Sequence, residues 1–317
     1  LPSGRLLTAI NLDDPFAPAI LGTVDVGDSP MGVDVHPAGD LVAVITGEAR
    51  KQIVLVSVSE GGLGEAMPYP ILGLDTDENL YASSIQWHPS GDFLAITLPA
   101  RNQVVFYRVT RDADGSIGLA AWGQPVTVGK FPYSGRFSPD GRFYITTDME
   151  WDLDVERSFV QSPEGHLSVV RFESGPAGVV PPRHEVVSSA LVGVNPEGLA
   201  ISPDGSLVVT SNFQRTFLPT DDSRLTREGS LSLLKLDRRS GVLSPVAEYP
   251  ISGMPAGLTF DAKGRFVVVT QFRSFDPQAV DGMLVFFKVK SGSNPSLQRA
   301  DFTVGVGKGP HGVLIIR

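Results

Sequence analysis

The sequence predicts an all-β fold, a β-propeller with six blades. A Gly turn recurs between two apolar runs, a Pro mark precedes each turn, and alternating strands follow with no helical period. The turn reads HPAGD at 36–40, HPSGD at 88–92, SPDGR at 138–142, SPDGS at 202–206 and DAKGR at 261–265. Its glycines lie 52, 50, 64 and 59 residues apart, and a further copy, LPSGR, occupies 1–5. The Pro mark reads SPMG at 29–32, FPYSG at 131–135, NPEG at 195–198, MPAG at 254–257 and GPHG at 309–312, and the copy at 81–84 lacks both Pro and Gly.

Each unit then follows one order. The mark opens a first strand that ends at the Gly turn. A β-branched and aromatic run follows as the second strand: LVAVIT, FLAIT, FYITT, LVVTS and FVVVT. An alternating third strand comes next at 53–58, 104–109, 167–172, 231–236 and 283–289. A weaker fourth strand leads to the next mark. Four short strands per unit, bounded by turn residues, are the propeller pattern. The N-terminal LPSGRLLTAIN reads as the turn and second strand that follow the C-terminal GPHGVLIIR, so both termini complete one blade and leave no free edge. In an alternative register, 6–12 is the third strand. A seventh blade fits only if 138–202 hides one. The whole of 1–317 reads as a single propeller domain.

Composition limits the function. The 317 residues are 42% apolar, enough for a core, and no apolar run is long enough to cross a membrane as a helix. The formal charge of −9 makes nucleic acid an unsuitable partner. The absence of cysteine excludes disulfides, thiolate metal sites and a Cys nucleophile. The chain opens at Leu1, which reads either as a mature exported chain in the periplasm or outside the cell, or as a trimmed one, with the cytoplasm left open. Oligomeric state is not legible.

Strand direction selects a candidate site. Marks and second-strand ends surround one mouth of the channel, and the Gly turns surround the other. Seven residues after each turn Gly stand Asn11, Thr46, Leu98, Asp148, Asn212 and Gln271; nine after stand Asp13, Glu48, Ala100, Glu150, Gln214 and Arg273. Residues two apart share a strand face, so these read as two polar rings at the mouth. The marks add Met31, Tyr133, Glu197, Ala256 and His311, with Arg50, Arg101 and Arg215 just beyond the rings. His36 and His88 sit in Gly turns and read as backbone-bonding turn residues, while His166 and His184 read as surface. His311 stands at the mouth with a side chain suited to proton transfer near neutrality.

Two segments stand apart from the repeat. In DMEWDLDVE at 148–156 acids alternate with apolar residues, which reads as an extended strand with five carboxylates on one side. Asp148 and Glu150 there are candidate ligands for Ca²⁺ or Mg²⁺, with Asn212, Asn11, Asp13 and Glu48 as further oxygen donors; an acidic docking strip or a solvated hairpin fits the same pattern. The segments 149–165, 213–229 and 272–282 lengthen three neighbouring loops into a wall or lid, with Phe213, Phe217, Phe272 and Phe275 as its apolar lining. No G-x-S-x-G, P-loop, dinucleotide fingerprint or H-E-x-x-H occurs.

The succession of Pro mark, strand, PDG turn and strand resembles the YVTN and lactonase-type propeller repeats, a superfamily that includes 6-phosphogluconolactonase-like and muconate-cyclase-like proteins and commonly has seven blades. The resemblance covers nearly the whole chain. It implies an enzyme acting on a small anionic or lactone-like substrate, with the His of the Pro-His mark, His311, as its residue. The Arg often paired with that His is absent, since Gly309 precedes Pro310. In this reading His311 or Glu197 is the general base. Arg101, Arg215 and Arg273 hold a carboxylate or phosphate and stabilise developing oxyanion charge, and Tyr133, Asn212 and Gln271 complete the substrate contacts. A non-catalytic propeller that binds an extracellular peptide, glycan or protein is the alternative. A divalent-cation-dependent hydrolase or lyase is a third.

Overall fold

The computed structural model describes residues 4–14, 16–46, 52–71, 82–152, 155–175, 182–275 and 282–314. The fold is all-β, a β-propeller of six antiparallel sheets, and the chain divides into two compact units.

The first unit comprises 1–127 with 173–183. Its opening sheet pairs β1 (Leu6–Asn11) with β2 (Ala19–Asp25). The next runs β3 (Pro30–Val35), β4 (Leu41–Thr46), β5 (Gln52–Ser59) and β6 (Gly62–Pro70). The third runs β7 (Ser84–Trp87), β8 (Phe93–Leu98), β9 (Gln103–Arg111) and β10 (Ile117–Ala121), and β11 (Val126–Thr127) also pairs with β9. A 3₁₀ turn, Pro99–Arg101, joins β8 to β9. The apolar run LVAVIT of β4 has a simple cause. Leu41, Ala43 and Ile45 pack with Ile53, Leu55, Ile85 and Leu94, while Val42 and Val44 pack with Val54, Val56 and the β1–β2 residues Leu7 and Val24. Alternate side chains therefore enter two different cores, and both faces of the strand are dry.

The second unit comprises 128–172 with 184–317. Its sheets are β12 (Pro132–Phe137), β13 (Phe143–Asp148), β14 (Glu164–Arg171) and β15 (Glu185–Val194), with helix α1 (Val155–Val160) between β13 and β14; then β16 (Pro196–Ile201), β17 (Leu207–Asn212), β18 (Glu228–Leu236) and β19 (Leu243–Ser252); then β20 (Met254–Phe260), β21 (Phe266–Arg273), β22 (Met283–Lys290) and β23 (Ser296–Gly305). Val208 faces a core shared with Phe143, Ile145 and Val169, whereas Leu207 and Val209 face one shared with Val267, Val269 and Phe287. Burying each such side chain contributes about 1.5–3 kcal/mol.

The Gly turns are built alike. Gly39, Gly91, Gly141, Gly205 and Gly264 all have φ between 65° and 81°, which favours glycine. The first turn residue satisfies the loop. Ser138, Ser202 and Asp261 accept from the N–H five residues on, at Phe143, Leu207 and Phe266. His36 and His88 instead accept through Nδ1 from the N–H two residues on, at Ala38 and Ser90.

Three expectations are corrected. β2 leads into the Pro mark as a fourth strand does, so β1 is a third strand and the alternative N-terminal register applies. The anticipated closing segment forms no strand over 312–314, and 315–317 lie outside the described residues. The acidic run is not one extended strand. β13 stops at Asp148, Glu150 takes a left-handed φ of 59°, and the chain enters α1, so the run does not continue the strand. Among the described residues, 138–202 holds this helix and no additional blade.

Candidate functional site

The second unit brings His311 and Glu197 together. His311 Nε2 lies 2.7 Å from Glu197 Oε1. The two side chains differ sharply in access: Glu197 is 4% exposed and His311 61% exposed. Both occupy the same position of the Pro mark, two sheets apart, and Ala256 holds that position in the sheet between. The marks fix this geometry. Gly257 N–H donates to the His311 carbonyl at 2.7 Å, and a Cβ on Gly257 would collide with that oxygen. A Cβ on Gly198 would likewise collide with the Ala256 carbonyl. The mark needs glycine because successive first strands approach closely there.

Hydroxyls on the second strands complete the frame. Thr147 donates to the Glu197 carbonyl at 3.4 Å, Ser211 donates to the Ala256 carbonyl, and Thr270 donates to the His311 carbonyl at 3.3 Å and to that of Gly257 at 3.0 Å. The same offset from the turn Gly carries Thr97 in the first unit, with Ile10 and Ile45 as the exceptions. That recurrent hydroxyl was the sequence signal for a frame that residue-by-residue reading passed over.

The electrostatics follow from burial. Desolvation pushes the Glu197 carboxyl up, and the His311 bond opposes this. The bond to Glu197 raises His311 above its ordinary 6.5. The pairing uses Nε2 and leaves Nδ1 as the ring nitrogen for a ligand. Glu197 Oε2 is buried and has no hydrogen-bond partner among the described residues. Phe272 stands edge-to-face with the imidazole at 6.0 Å.

The other expected residues are placed differently. Asn212 and Gln271 are 0% and 2% exposed, so they face the sheet packing and not an open mouth. Asn212 Nδ2 donates to Ser230 and Ser232, each at 2.9 Å, and Gln271 Nε2 donates to the Ser252 carbonyl. Asn212 ends β17 and Gln271 lies two residues before the end of β21, each between its own first and third strands. Arg215 donates to the Ser162 carbonyl at 3.4 Å and Arg273 to the Thr216 carbonyl at 3.3 Å, so both tie neighbouring inserts together. Arg273 also lies over the Phe275 ring at 4.7 Å. Tyr133 is half-buried at the start of β12, and Arg101 belongs to the first unit, in its 3₁₀ turn. Within the insert at 213–229, Phe213 and Leu218 are buried.

Asp148 is fully buried and accepts from Thr146 at 2.8 Å and from Ser168. Desolvation pushes it up to about 7, so both oxygens are spent inside the protein. Glu150 turns instead to His166 Nδ1 at 3.3 Å, lining a polar cleft of about 540 Å³ with Lys130, Arg157 and Glu164. Among the described residues no three His, Asp or Glu side chains form a set able to hold a metal ion. Glu48 and Arg50 lie outside the described residues, as does Asp154. No helix among the described residues is long and apolar enough to cross a membrane.

No protein-family model and no curated protein matches the sequence. Solved structures do. A candidate 6-phosphogluconolactonase from Bacteroides fragilis aligns at 16% identity over 97% of this chain and 79% of its own, with a TM-score of 0.70. The periplasmic gluconolactonase of Pseudomonas aeruginosa aligns at 19% identity over 96% and 78%, with a TM-score of 0.68. The hydrazine synthase of Kuenenia stuttgartiensis aligns at 15% identity over 93% and 79%, with a TM-score of 0.63. At such identities the likeness is one of fold, and the fold carries unlike chemistries.

Proposed function

We propose that the protein hydrolyses small lactones of the sugar-acid type, with His311 as the general base and Glu197 as the buried carboxylate behind it. One observation carries this reading: an exposed imidazole paired at 2.7 Å with a buried glutamate. The carboxylate holds the proton on Nε2 and favours the imidazolium, so Nδ1 becomes the stronger base. Nδ1 takes a proton from water as its oxygen bonds to the lactone carbonyl carbon. The tetrahedral adduct then breaks its ring C–O bond, and the leaving alkoxide takes the proton back from Nδ1. Water and lactone become one hydroxy acid. Arg215 and Arg273 each spend one donor on a backbone carbonyl and keep others for a substrate anion. The lactonase names of two fold neighbours support the substrate class.

The test is acid release from glucono-δ-lactone and 6-phosphogluconolactone in a pH-stat, with spontaneous hydrolysis subtracted. Wild-type protein accelerates one of them, and His311→Ala loses at least ~10²-fold. A wild-type rate equal to the spontaneous one, or a His311→Ala rate equal to wild type, would overturn the assignment.

A further inference from the structure

We infer that Ala256 is a positioning residue for this site, and that its small side chain is what lets Glu197 reach His311. The inference rests on the dyad reading above. Glu197, Ala256 and His311 occupy one repeat position in three successive Pro marks, the first two on β16 and β20 and the third in the segment after β23, with Gly198 against the Ala256 carbonyl and Gly257 against that of His311. The outer two meet at 2.7 Å, which they do across the middle one. Ala256 is 0% exposed, and protein interiors leave few voids for added atoms. Its main chain cannot withdraw to make room. Ser211 holds its carbonyl, and that carbonyl stands where a Cβ on Gly198 would be. On the far side, Gly257 is pinned to the His311 carbonyl. A longer side chain at 256 is therefore expected to press into the space the Glu197–His311 pair occupies.

The sequence alone does not show this. Met31, Tyr133 and Glu197 fill the position elsewhere, so alanine is not a requirement of the fold. It is small in the one sheet lying between the acid and the imidazole.

The experiment is an NMR titration of the His311 imidazole in wild type and in Ala256→Gly, Ala256→Ser, Ala256→Val and Ala256→Leu, with a melting temperature for each. Wild type and Ala256→Gly titrate above 6.5. The titration point then falls with side-chain size, reaching the ordinary imidazole value in the largest variant that folds, and lactone hydrolysis falls with it by at least ~10²-fold. A variant with Val or Leu that folds and keeps the raised titration point overturns the inference. So does a wild-type His311 that titrates at or below 6.5, because there is then no pair to position. The titration needs no turnover, so absence of lactone hydrolysis in wild type overturns the hydrolase reading and leaves Ala256 to be judged by the titration.

Discussion

A carboxylate partly or fully withdrawn from water has three outcomes in this chain, set by what faces it. Glu197 faces an imidazole that stays exposed, and the pair has an outlet to solvent. Asp148 faces the Thr146 and Ser168 hydroxyls and the Gly129 N–H, with no cation against it, and burial pushes it up to about 7. Asp261 sits at a turn, where main-chain N–H groups of Arg265 and Phe266 hold it low. The signs for stability follow. Asp148 is raised above the ordinary carboxylate value, so the folded state binds the extra proton; its contribution to stability is complete below about pH 4 and declines as pH rises toward 7. Asp148→Asn removes that decline, and urea midpoints measured from pH 4 to 7 would show a flatter profile than wild type. A variant with the same slope as wild type would contradict the assignment. His311 is also raised, so its share of stability is complete below 6.5 and fades as pH climbs through its folded value. Its activity as a base runs the other way, rising with pH as the imidazole loses its proton.

At the scale of the element, strands and turns were legible because their causes are local. A turn residue at positive φ must be glycine, and a strand buried on both faces must be apolar throughout, so both repeat visibly. The inserts were not legible. Alternation of acids and apolar residues over 148–156 implied a strand, but Trp151 overrides it by packing against Phe131 and donating to Asn195 Oδ1 at 2.8 Å. Asn195 in turn donates to the Gln214 carbonyl, so one side chain joins two inserts. Such long-range pairings leave no period in the sequence. Burial of Asn212 and Gln271 was missed for a related reason: an expected ring of mouth residues was inferred from strand alternation, whereas their partners are serines and a carbonyl within the sheet packing. The close approach at the mark makes a sharp prediction. Gly257→Ala should cost about 1–3 kcal/mol by chemical denaturation, from overpacking against the His311 carbonyl. An unchanged midpoint would mean that the strands can move apart.

At the scale of the molecule, the repeat gives a scaffold and the exceptions to the repeat give the site. Five of the six sheets carry the same turn logic, yet Glu, Ala and His at one repeated position create the Glu197–His311 pair. The scaffold is uneven in strength. The two-stranded sheet of β1 and β2 leaves Leu6, Ile10 and Ile20 more than half exposed, and an isolated pair of strands is marginal. Hydrogen exchange should therefore find β1 and β2 the first strands to lose protection, ahead of β4 and β5. Equal protection across these four strands would contradict that ordering.

The most direct test of the account is kcat/KM against pH for sugar-lactone hydrolysis by wild type and Glu197→Gln, corrected for spontaneous ring opening. The account predicts a wild-type rate that rises with an inflection above 6.5. In Glu197→Gln the inflection moves down and the plateau drops by ~10²-fold, because a neutral amide no longer favours the imidazolium. Superimposable profiles, or a wild type with no rate above the spontaneous one, would contradict it.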